Sequence, residues 1–253
     1  MYSWRLALSA EPGRAGAVLA FTSRRGGVSR GPWLGLNLGG ATGDAPDDVA
    51  ANRTRLAQDL GLPTERLVFM NQCHGRDVAV VDGPWAGEAP SADAVVTRHT
   101  EVALAALAAD CVPVLLADRA AGVVAAVHAG RPGLVAGVVT ATVAAMRGVG
   151  AKPQDVEAVV GPSVCGRCYE VPAAMRDEVA AVSPVSATVS WTGTPAVDIA
   201  AGVVDQLRRA GASVTWVPGC TRENADLYSY RRDGRTGRHA GVVRLLPPSA
   251  AAS

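Results

Sequence analysis

The chain has 253 residues, 24 basic and 23 acidic side chains and a formal net charge of +1, with 49% of its residues hydrophobic. This balance argues against the one-sided basic surface of nucleic-acid and membrane-surface proteins, so we expect neither partner. Five cysteines, an odd number in a chain of this length, indicate reduced thiols rather than a secreted disulfide scaffold. Neither a signal peptide nor a membrane span is predicted, and we expect a cytoplasmic protein.

The apolar runs of the first half predict one helix among several short strands. A strand at residues 15–21 leads into a polar, glycine-rich loop, and residues 44–60 predict a helix that ends at Gly61. Short length and β-branched content favour further strands at 67–70, 78–81, 94–97, 102–107, 112–117 and 123–127.

Helices and strands alternate in the second half of the chain. The pattern predicts helices at 133–146, 171–182 and 196–210, and strands at 156–160, 213–217 and 241–245. We expect one domain over residues 1–246 and a disordered, low-complexity tail at 247–253. Because the central strands follow one another directly, the order favours a layered α+β fold with mixed sheets over a doubly wound fold.

Three side chains could hold a metal ion. His74 lies between two apolar runs, His128 ends a predicted strand, and Cys111 follows Asp110 inside an otherwise apolar stretch. A carboxylate in such a stretch is costly unless it is paired, which indicates a site. Each residue alone also fits a structural role, the cysteine as a small hydrophobe and each histidine as a hydrogen-bonded strand end. Together, two imidazoles and one thiolate form a catalytic Zn²⁺ set with its fourth position open.

The remaining cysteines give a weaker signal. Cys165 and Cys168 have the spacing of half a zinc ribbon or of a redox pair. A second such pair is missing from the sequence, and Cys220 is the only later cysteine. We therefore do not favour a metal or redox role for the pair.

Two arginine pairs lie in loops that contain glycine. Arg24 belongs to one and Arg231 to the other. Guanidinium groups bind phosphate in a bidentate manner, although loop charges are also commonly just solvated. Their value as phosphate ligands depends on whether they converge on the metal.

Several short blocks recur in a fixed order along most of the chain. They are FTSRRGG at 21–27, LNLG at 36–39, NQCHG at 71–75, ADCVPV at 109–114, VHAG at 127–130, GP at 161–162 with CYEV at 168–171, SYRRDG at 229–234 and TGR at 236–238. In combination these blocks resemble the laccase-domain family of purine nucleoside phosphorylases.

The resemblance implies a fold, a metal and a reaction. The fold would be a layered α/β/β/α sandwich with mixed sheets, and zinc would be held by His74, Cys111 and His128. The reaction would be phosphorolysis of adenosine, inosine, guanosine or methylthioadenosine, with purine nucleoside and phosphate as the small-molecule partners.

The resemblance also suggests roles for individual residues. Cys111 and Asp110 become the candidate catalytic residues, with Asp110 orienting the site. Arg24, Asn37 and Arg231 become the candidate substrate-binding residues.

Other functions stay open at this point. Adenosine deamination would use the same zinc pocket, and the family's older label is a copper-dependent polyphenol oxidase. Related members are described as peptidoglycan editing factors, which hydrolyse mis-built cell-wall precursors. Cys111 as a nucleophile and a non-catalytic metal-binding module complete the alternatives.

One local departure from the family pattern bears on the substrate. Arg131-Pro132 follows Gly130, where the family usually has Trp-Arg. Proline has no backbone N–H, so this change places substrate affinity or choice in doubt.

Overall fold

Two large β-sheets, of five and six strands, stack face to face, helices cover their outer faces, and a further sheet has two strands. This arrangement is seen in a computed structural model, which describes residues 1–85 and 87–249. In the described residues the strands are β1 (Tyr2–Leu8), β2 (Gly16–Thr22), β3 (Leu67–Val68), β4 (Val78–Val81), β5 (Ala94–Thr97), β6 (Ala103–Ala108), β7 (Val112–Asp118), β8 (Val123–Ala129), β9 (Glu157–Val160), β10 (Ala187–Val189), β11 (Pro195–Val197), β12 (Ser213–Trp216) and β13 (His239–Leu246). The α-helices are α1 (Pro46–Asp59), α2 (Arg131–Ala136), α3 (Val138–Gly148), α4 (Ala173–Val182), α5 (Ile199–Arg209) and α6 (Tyr230–Asp233).

The first sheet has the strand order β1-β2-β13-β6-β3. The C-terminal strand β13 lies in its middle and pairs antiparallel with both β2 and β6. Only the short edge strand β3 runs parallel to its neighbour. The two ends of the chain are thereby held in one sheet.

The second sheet has the order β12-β9-β7-β8-β5-β4 and is also mixed. Its central strands β7 and β8 are antiparallel and fully buried, while the outer pairs β12–β9 and β5–β4 are parallel. The β7–β8 register places Pro113 opposite His128. Residues just before β7 therefore meet the end of β8.

The side-chain alternation of β7 and β8 builds two cores. Leu115 and Ala126 face the first sheet, where they pack with Phe21. Leu116 and Val127 face the helices α3 and α5. A third apolar cluster joins α1 to the outer face of the first sheet. The four layers confirm the expected α/β/β/α arrangement with mixed sheets.

The structure contains four elements that were not predicted and corrects two that were. Strands β1, β10 and β11 and helix α6 were not predicted, and β1 is an edge strand without a buried side chain. The helix predicted at 133–146 is two helices, because Gly137 has a φ of +85°. The helix predicted at 196–210 begins too early, since Ala196 and Val197 belong to β11 and Asp198 caps the N-terminus of α5 by accepting from Ala201 N at 2.9 Å.

Of the predicted disordered tail, residues 250–253 lie outside the described residues. Ser249 forms an isolated bridge with Pro12. Among the described helices, none combines the length and the apolar character that crossing a membrane requires.

Candidate metal centre and cavity

The three predicted metal ligands meet at one point. His74 comes from the loop between β3 and β4, Cys111 immediately precedes β7, and His128 lies near the end of β8. His74 Nε2 lies 3.7 Å from Cys111 Sγ, and the two imidazole centroids are 4.7 Å apart with the rings at 86°. One donor atom from each residue lies within 4.8 Å of the others, as a shared metal ion requires.

The backbone is strained on both sides of this cluster. His74 has a φ of 60° and Asp110 a φ of 90°, the only non-glycine residues with positive φ in the described chain. Such conformations are uncommon outside glycine and concentrate at functional sites. A Cβ on Gly130 would lie 2.7 Å from His74 Cδ2 and 3.3 Å from Cys111 Sγ, so glycine is required for this close approach.

A buried carboxylate orients both histidines. Asp93 precedes β5 directly, and its Oδ1 lies 2.8 Å from His128 Nδ1 and accepts the backbone N–H of His74 at 3.0 Å. Burial opposes ionisation of Asp93, but its hydrogen bond with His128 holds the carboxyl pKa well below its usual range. With Nδ1 engaged, His128 presents Nε2 to the cluster, the usual arrangement of a metal-bound histidine. Sequence reasoning missed Asp93, although an acidic residue beside an apolar strand was an available signal.

The electrostatics of the cluster favour a metal-binding thiolate. Burial raises the pKa of Cys111, but the charge of His128 and hydrogen bonds from His128 and His74 bring it down to about 6. Burial likewise lowers the pKa of His128, which the Cys111 thiolate and Asp93 raise to about 9. The thiolate is the form that binds metal, so the donor set fits a thiophilic cation.

Asp110 holds a loop and not the cluster itself. Its Oδ1 accepts hydrogen bonds from Thr221 Oγ1 at 2.6 Å and Ser229 Oγ at 2.7 Å, and its Oδ2 accepts from Arg231 N at 2.6 Å. The role of Asp110 in orienting the site stays a prediction. Asp110 fixes the start of α6, which carries Arg231.

The cluster opens onto a cavity of about 1130 Å³. Its wall combines the metal cluster with aromatic and basic side chains. The lining includes His74, Cys111, His128, Phe69, Tyr169, Tyr230, Arg53, Arg231 and Arg238. A cavity of this size is typical of small-molecule sites.

Arg231, one of the candidate substrate-binding residues, lines this cavity. Its guanidinium carbon lies 4.5 Å from the centre of the Tyr169 ring, and its Nη1 donates to Glu170 O at 2.9 Å. The stacking on Tyr169 is a cation–π contact that fixes the direction of the guanidinium.

The other two predicted substrate residues lie away from the lining of this cavity in the described structure. The Arg24 guanidinium stacks 4.9 Å from the Tyr228 ring, and its Nε donates to Leu34 O at 3.2 Å. Asn37 is fully buried, and its side chain accepts from Arg238 N at 2.8 Å. Their substrate roles stay predictions, and the contacts seen here are with the protein's own loops.

Two arginines that the sequence did not single out as substrate residues do line the cavity. Arg238 ends the TGR block, so the resemblance contained a signal for it. Arg53 lies on α1 and stacks 4.0 Å above the Phe69 ring, with Nε donating to Leu38 O at 3.0 Å. No local pattern distinguishes Arg53 from a solvated helix residue.

The departure at Arg131-Pro132 is accommodated by a helix start. Pro132 lies in the first turn of α2, where a backbone N–H has no intrahelical partner. Arg131 Nη1 forms an ion pair with Glu178 Oε2 at 3.0 Å. No hydrogen bond of the helix is lost, and Arg131 is directed to α4.

Known proteins share the sequence pattern and the fold of this chain. Residues 18–246 match the profile of the family described as multi-copper polyphenol oxidoreductase laccase. The chain belongs to this family. Similar curated proteins carry another name, purine nucleoside phosphorylase. A purine nucleoside phosphorylase of Streptomyces coelicolor is 58% identical over 232 residues, covering 91% of this chain and 96% of the relative. One of Mycobacterium tuberculosis is 50% identical over 223 residues, covering 88% and 89%.

Solved structures of the family share the fold. A Neisseria meningitidis protein superimposes with a TM-score of 0.83 at 36% identity, covering 96% of this chain and 99% of that one. YlmD from Geobacillus stearothermophilus gives a TM-score of 0.84 at 32% identity, covering 93% and 94%. The relatives named above support an enzyme of the purine nucleoside phosphorylase kind. In the structure, His74, Cys111 and His128 form a cluster that could hold a metal ion.

Proposed function

We propose that this chain is a zinc-dependent purine nucleoside phosphorylase that acts on adenosine, inosine, guanosine or methylthioadenosine. One observation carries the proposal. The cluster of His74, Cys111 and His128 opens onto a cavity that offers flat aromatic faces and several guanidinium groups together. The names of the relatives support the same reaction class.

The aromatic side chains suit the purine base. Phe69, Tyr169 and Tyr230 all line the cavity, and a planar base can stack on such rings. Tyr230 is largely exposed, so it can close over a ligand without disturbing the core. The cavity volume of about 1130 Å³ is ample for a nucleoside and a phosphate together.

The basic side chains suit phosphate. Arg53, Arg231 and Arg238 line the cavity, whereas Asp110, the acidic residue of its wall, is engaged by three donors. Phosphate bound by these arginines would attack C1′ of the ribose as the bond from C1′ to the purine nitrogen breaks. The electron pair leaves with the base, which takes up a proton, and the sugar is released as its 1-phosphate. Fixed positive charge would hold the nucleophile in position.

The donor set fits zinc. Two imidazoles and one thiolate, contributed by three chain segments that line the cavity, match the three protein ligands of a catalytic zinc site. Bound there, zinc supplies a Lewis acid at the cavity wall. Asp93 keeps His128 in its ligating tautomer, and Asp110 keeps Arg231 in place.

Copper-dependent phenol oxidation is less well supported. The chain has four histidines, and only two belong to the cluster. His99 is exposed, 3.8 Å from Asp82, and His239 is buried at the start of β13. A multi-copper centre needs many more imidazoles than this arrangement brings together.

The test measures free base released from inosine and adenosine by zinc-analysed protein, with and without phosphate. We expect release that depends on phosphate and that falls to background in Cys111→Ser, because a serine hydroxyl is a poor zinc ligand at neutral pH. Cys73→Ser is the matched control. Cys73 Sγ lies 3.1 Å from Asp93 Oδ2, and a hydroxyl can keep that hydrogen bond.

Other products distinguish the remaining functions. Ammonia released from adenosine would reveal deamination, and cleavage of a nucleotide-linked cell-wall precursor would reveal the amidase. Absence of base release from protein with a filled zinc site would refute phosphorolysis for this chain.

A further inference from the structure

A second cluster of metal-ligand side chains lies outside the cavity lining. Cys165, Cys168, Cys220 and Glu223 each place one donor atom within 4.8 Å of the others. Three thiols and one carboxylate make up the set. Cys168 is buried, Cys165 and Cys220 are partly buried, and Glu223 is at the surface.

Two tight turns with the same spacing bring these donors together. In the first, the N–H groups of Cys168 and Tyr169 donate to Cys165 O at 2.9 and 3.1 Å. In the second, the N–H groups of Glu223 and Asn224 donate to Cys220 O at 3.2 and 2.9 Å. Each turn therefore offers a first and a fourth residue as ligands, the spacing of the paired ligands in structural zinc sites.

Backbone pairing holds the two turns against each other. Ser163 forms an isolated parallel bridge with Cys220, and Thr221 N donates to Ser163 O at 3.0 Å. Gly166 lies in the first turn, where a Cβ would be 2.8 Å from Asp198 Cβ. The first turn is thus fixed against the start of α5 as well, and the cluster does not depend on a mobile loop.

The distances and contacts agree with a tetrahedral site. Cys168 Sγ lies 3.4 Å from Glu223 Oε1, and the N–H of Cys165 points to Cys220 Sγ at 3.5 Å. A Zn–S bond of about 2.3 Å places sulfur atoms about 3.8 Å apart in a tetrahedron, and the donor atoms of this cluster all lie within 4.8 Å of one another.

We propose that Cys165, Cys168, Cys220 and Glu223 bind a second zinc ion in a closed, structural site. Thiolate-rich tetrahedral sets select zinc over the hard cations calcium and magnesium. With four protein ligands the site has no open position, in contrast to the cluster of His74, Cys111 and His128. The proposal is independent of the reaction that the cavity performs.

The position of the second metal site indicates that it stabilises the wall of the cavity. The first turn runs directly into Tyr169, and the second contains Thr221, which donates to Asp110. Arg232 Nη1 also donates to Thr221 O at 2.7 Å, which links the second turn to α6. A metal bound here would fasten together the two segments that carry Tyr169 and Arg231 into the cavity.

Zinc counting on the full-length reduced protein tests the proposal. After dialysis, mass spectrometry of the metal should find two zinc ions per wild-type chain. Cys168→Ser should lose one and Cys111→Ser should lose the other, while Cys73→Ser should keep both. One zinc in the wild-type chain, unchanged by Cys168→Ser, would overturn the proposal.

A milder variant covers the case in which Cys168→Ser fails to fold. Glu223→Gln removes one surface carboxylate and keeps the three thiolates. We expect its second zinc to exchange with a chromophoric chelator at least about tenfold more readily than in the wild type. An equal rate of exchange would contradict ligation by Glu223.

The state of the thiols provides a second readout. In the native wild-type protein, iodoacetamide should modify Cys165, Cys168 and Cys220 only after a chelator has removed the metal, and the chelator should lower Tm even in Cys111→Ser. Cobalt added to the metal-free Cys111→Ser variant should give the absorption of thiolate-bound tetrahedral cobalt. Rapid alkylation without chelator, or a disulfide between two of the three cysteines in freshly purified protein, would overturn the proposal.

Discussion

The carboxylate of Asp93 holds the imidazole of His128 through a 2.8 Å hydrogen bond between Oδ1 and Nδ1. The same oxygen accepts the backbone N–H of His74 at 3.0 Å, and Oδ2 accepts that of Gly75 at 2.6 Å. One fully buried side chain therefore sets the orientation of two metal ligands that come from separate segments. This arrangement makes Asp93 the main support of the candidate metal centre.

Replacing Asp93 with asparagine should weaken zinc binding at the cluster. The amide presents its NH₂ group to at least one of the donors that the carboxylate accepts, so the His74 turn and the His128 ring lose their common partner. We expect zinc affinity to fall by about 10- to 100-fold, as measured by competition with a chromophoric chelator. Asp82→Asn, at a largely exposed carboxylate, is the control. An unchanged affinity in folded Asp93→Asn protein would show that the ligands are positioned without it.

Arg231 and Arg24 provide a direct comparison of two arginines predicted from the sequence. Arg231→Lys should raise KM for phosphate by about 10- to 100-fold, because the planar fork is lost from the cavity. Arg24→Lys should change KM for phosphate little, since that guanidinium contacts Tyr228 and Leu34 O. Steady-state kinetics with phosphate as the varied substrate measures both. A larger effect at Arg24 would place phosphate elsewhere.

The cluster of His74, Cys111 and His128 could be named from the sequence because its signal is chemical and because the family blocks contain all three residues. Few histidines compete for the role, and a carboxylate next to Cys111 interrupts an apolar run. The layered fold could be predicted because several short apolar runs follow one another directly, and such runs are visible in the local sequence. Asp93 escaped notice because its partners are tens of residues away in the chain, and the sequence does not reveal which polar residue a strand pairing will bring to a site.

The cluster around Cys220 shows more clearly that the sequence does not reveal which distant residues the fold brings together. The spacing of Cys165 and Cys168 was visible, but Glu223 does not look like the partner of a cysteine. Only the bridge between Ser163 and Cys220 brings the two turns together. Asp198 separates the apolar residues of β11 from those of α5, and as an N-cap residue it was an available signal for the helix start. The pairing of β11 with β10 was not visible in the sequence.

Gly130 should be sensitive to the smallest possible substitution. A methyl group there would lie 2.7 Å from His74 Cδ2 and 3.3 Å from Cys111 Sγ, so Gly130→Ala should displace a metal ligand. Its φ of −81° is accessible to alanine, and the effect should therefore appear in zinc affinity more than in backbone strain. Gly148→Ala is the matched control, because a Cβ at the end of α3 meets nothing within 4 Å. Equal zinc affinity of the two variants would refute the close approach.

His239 should make folding sensitive to acid. It is fully buried at the start of β13, and burial together with the charge of Arg238 lowers its pKa to about 4 from the ordinary 6.5. Below pH 6.5 the ring of His239 binds a proton in the unfolded chain but stays neutral in the folded chain. The free energy of unfolding therefore falls as the pH decreases from 6.5 to 4. For this fully buried ring the difference between the two pKa values corresponds to about 3 kcal/mol of folding stability. That stability is present in full at neutral pH and is lost by the time the pH has fallen through 4.

The variant His239→Gln removes this titration. We expect the free energy of unfolding of the wild type, relative to that of His239→Gln, to decrease steadily between pH 6.5 and pH 4 and to level off below. Urea unfolding at each pH measures the difference, and carboxylates or metal ligands that titrate in both proteins cancel. His99→Gln, at an exposed ring, should follow the wild-type curve. A wild-type advantage that grows with acid would mean that His239 is stabilised as the cation, which contradicts the burial seen for its ring.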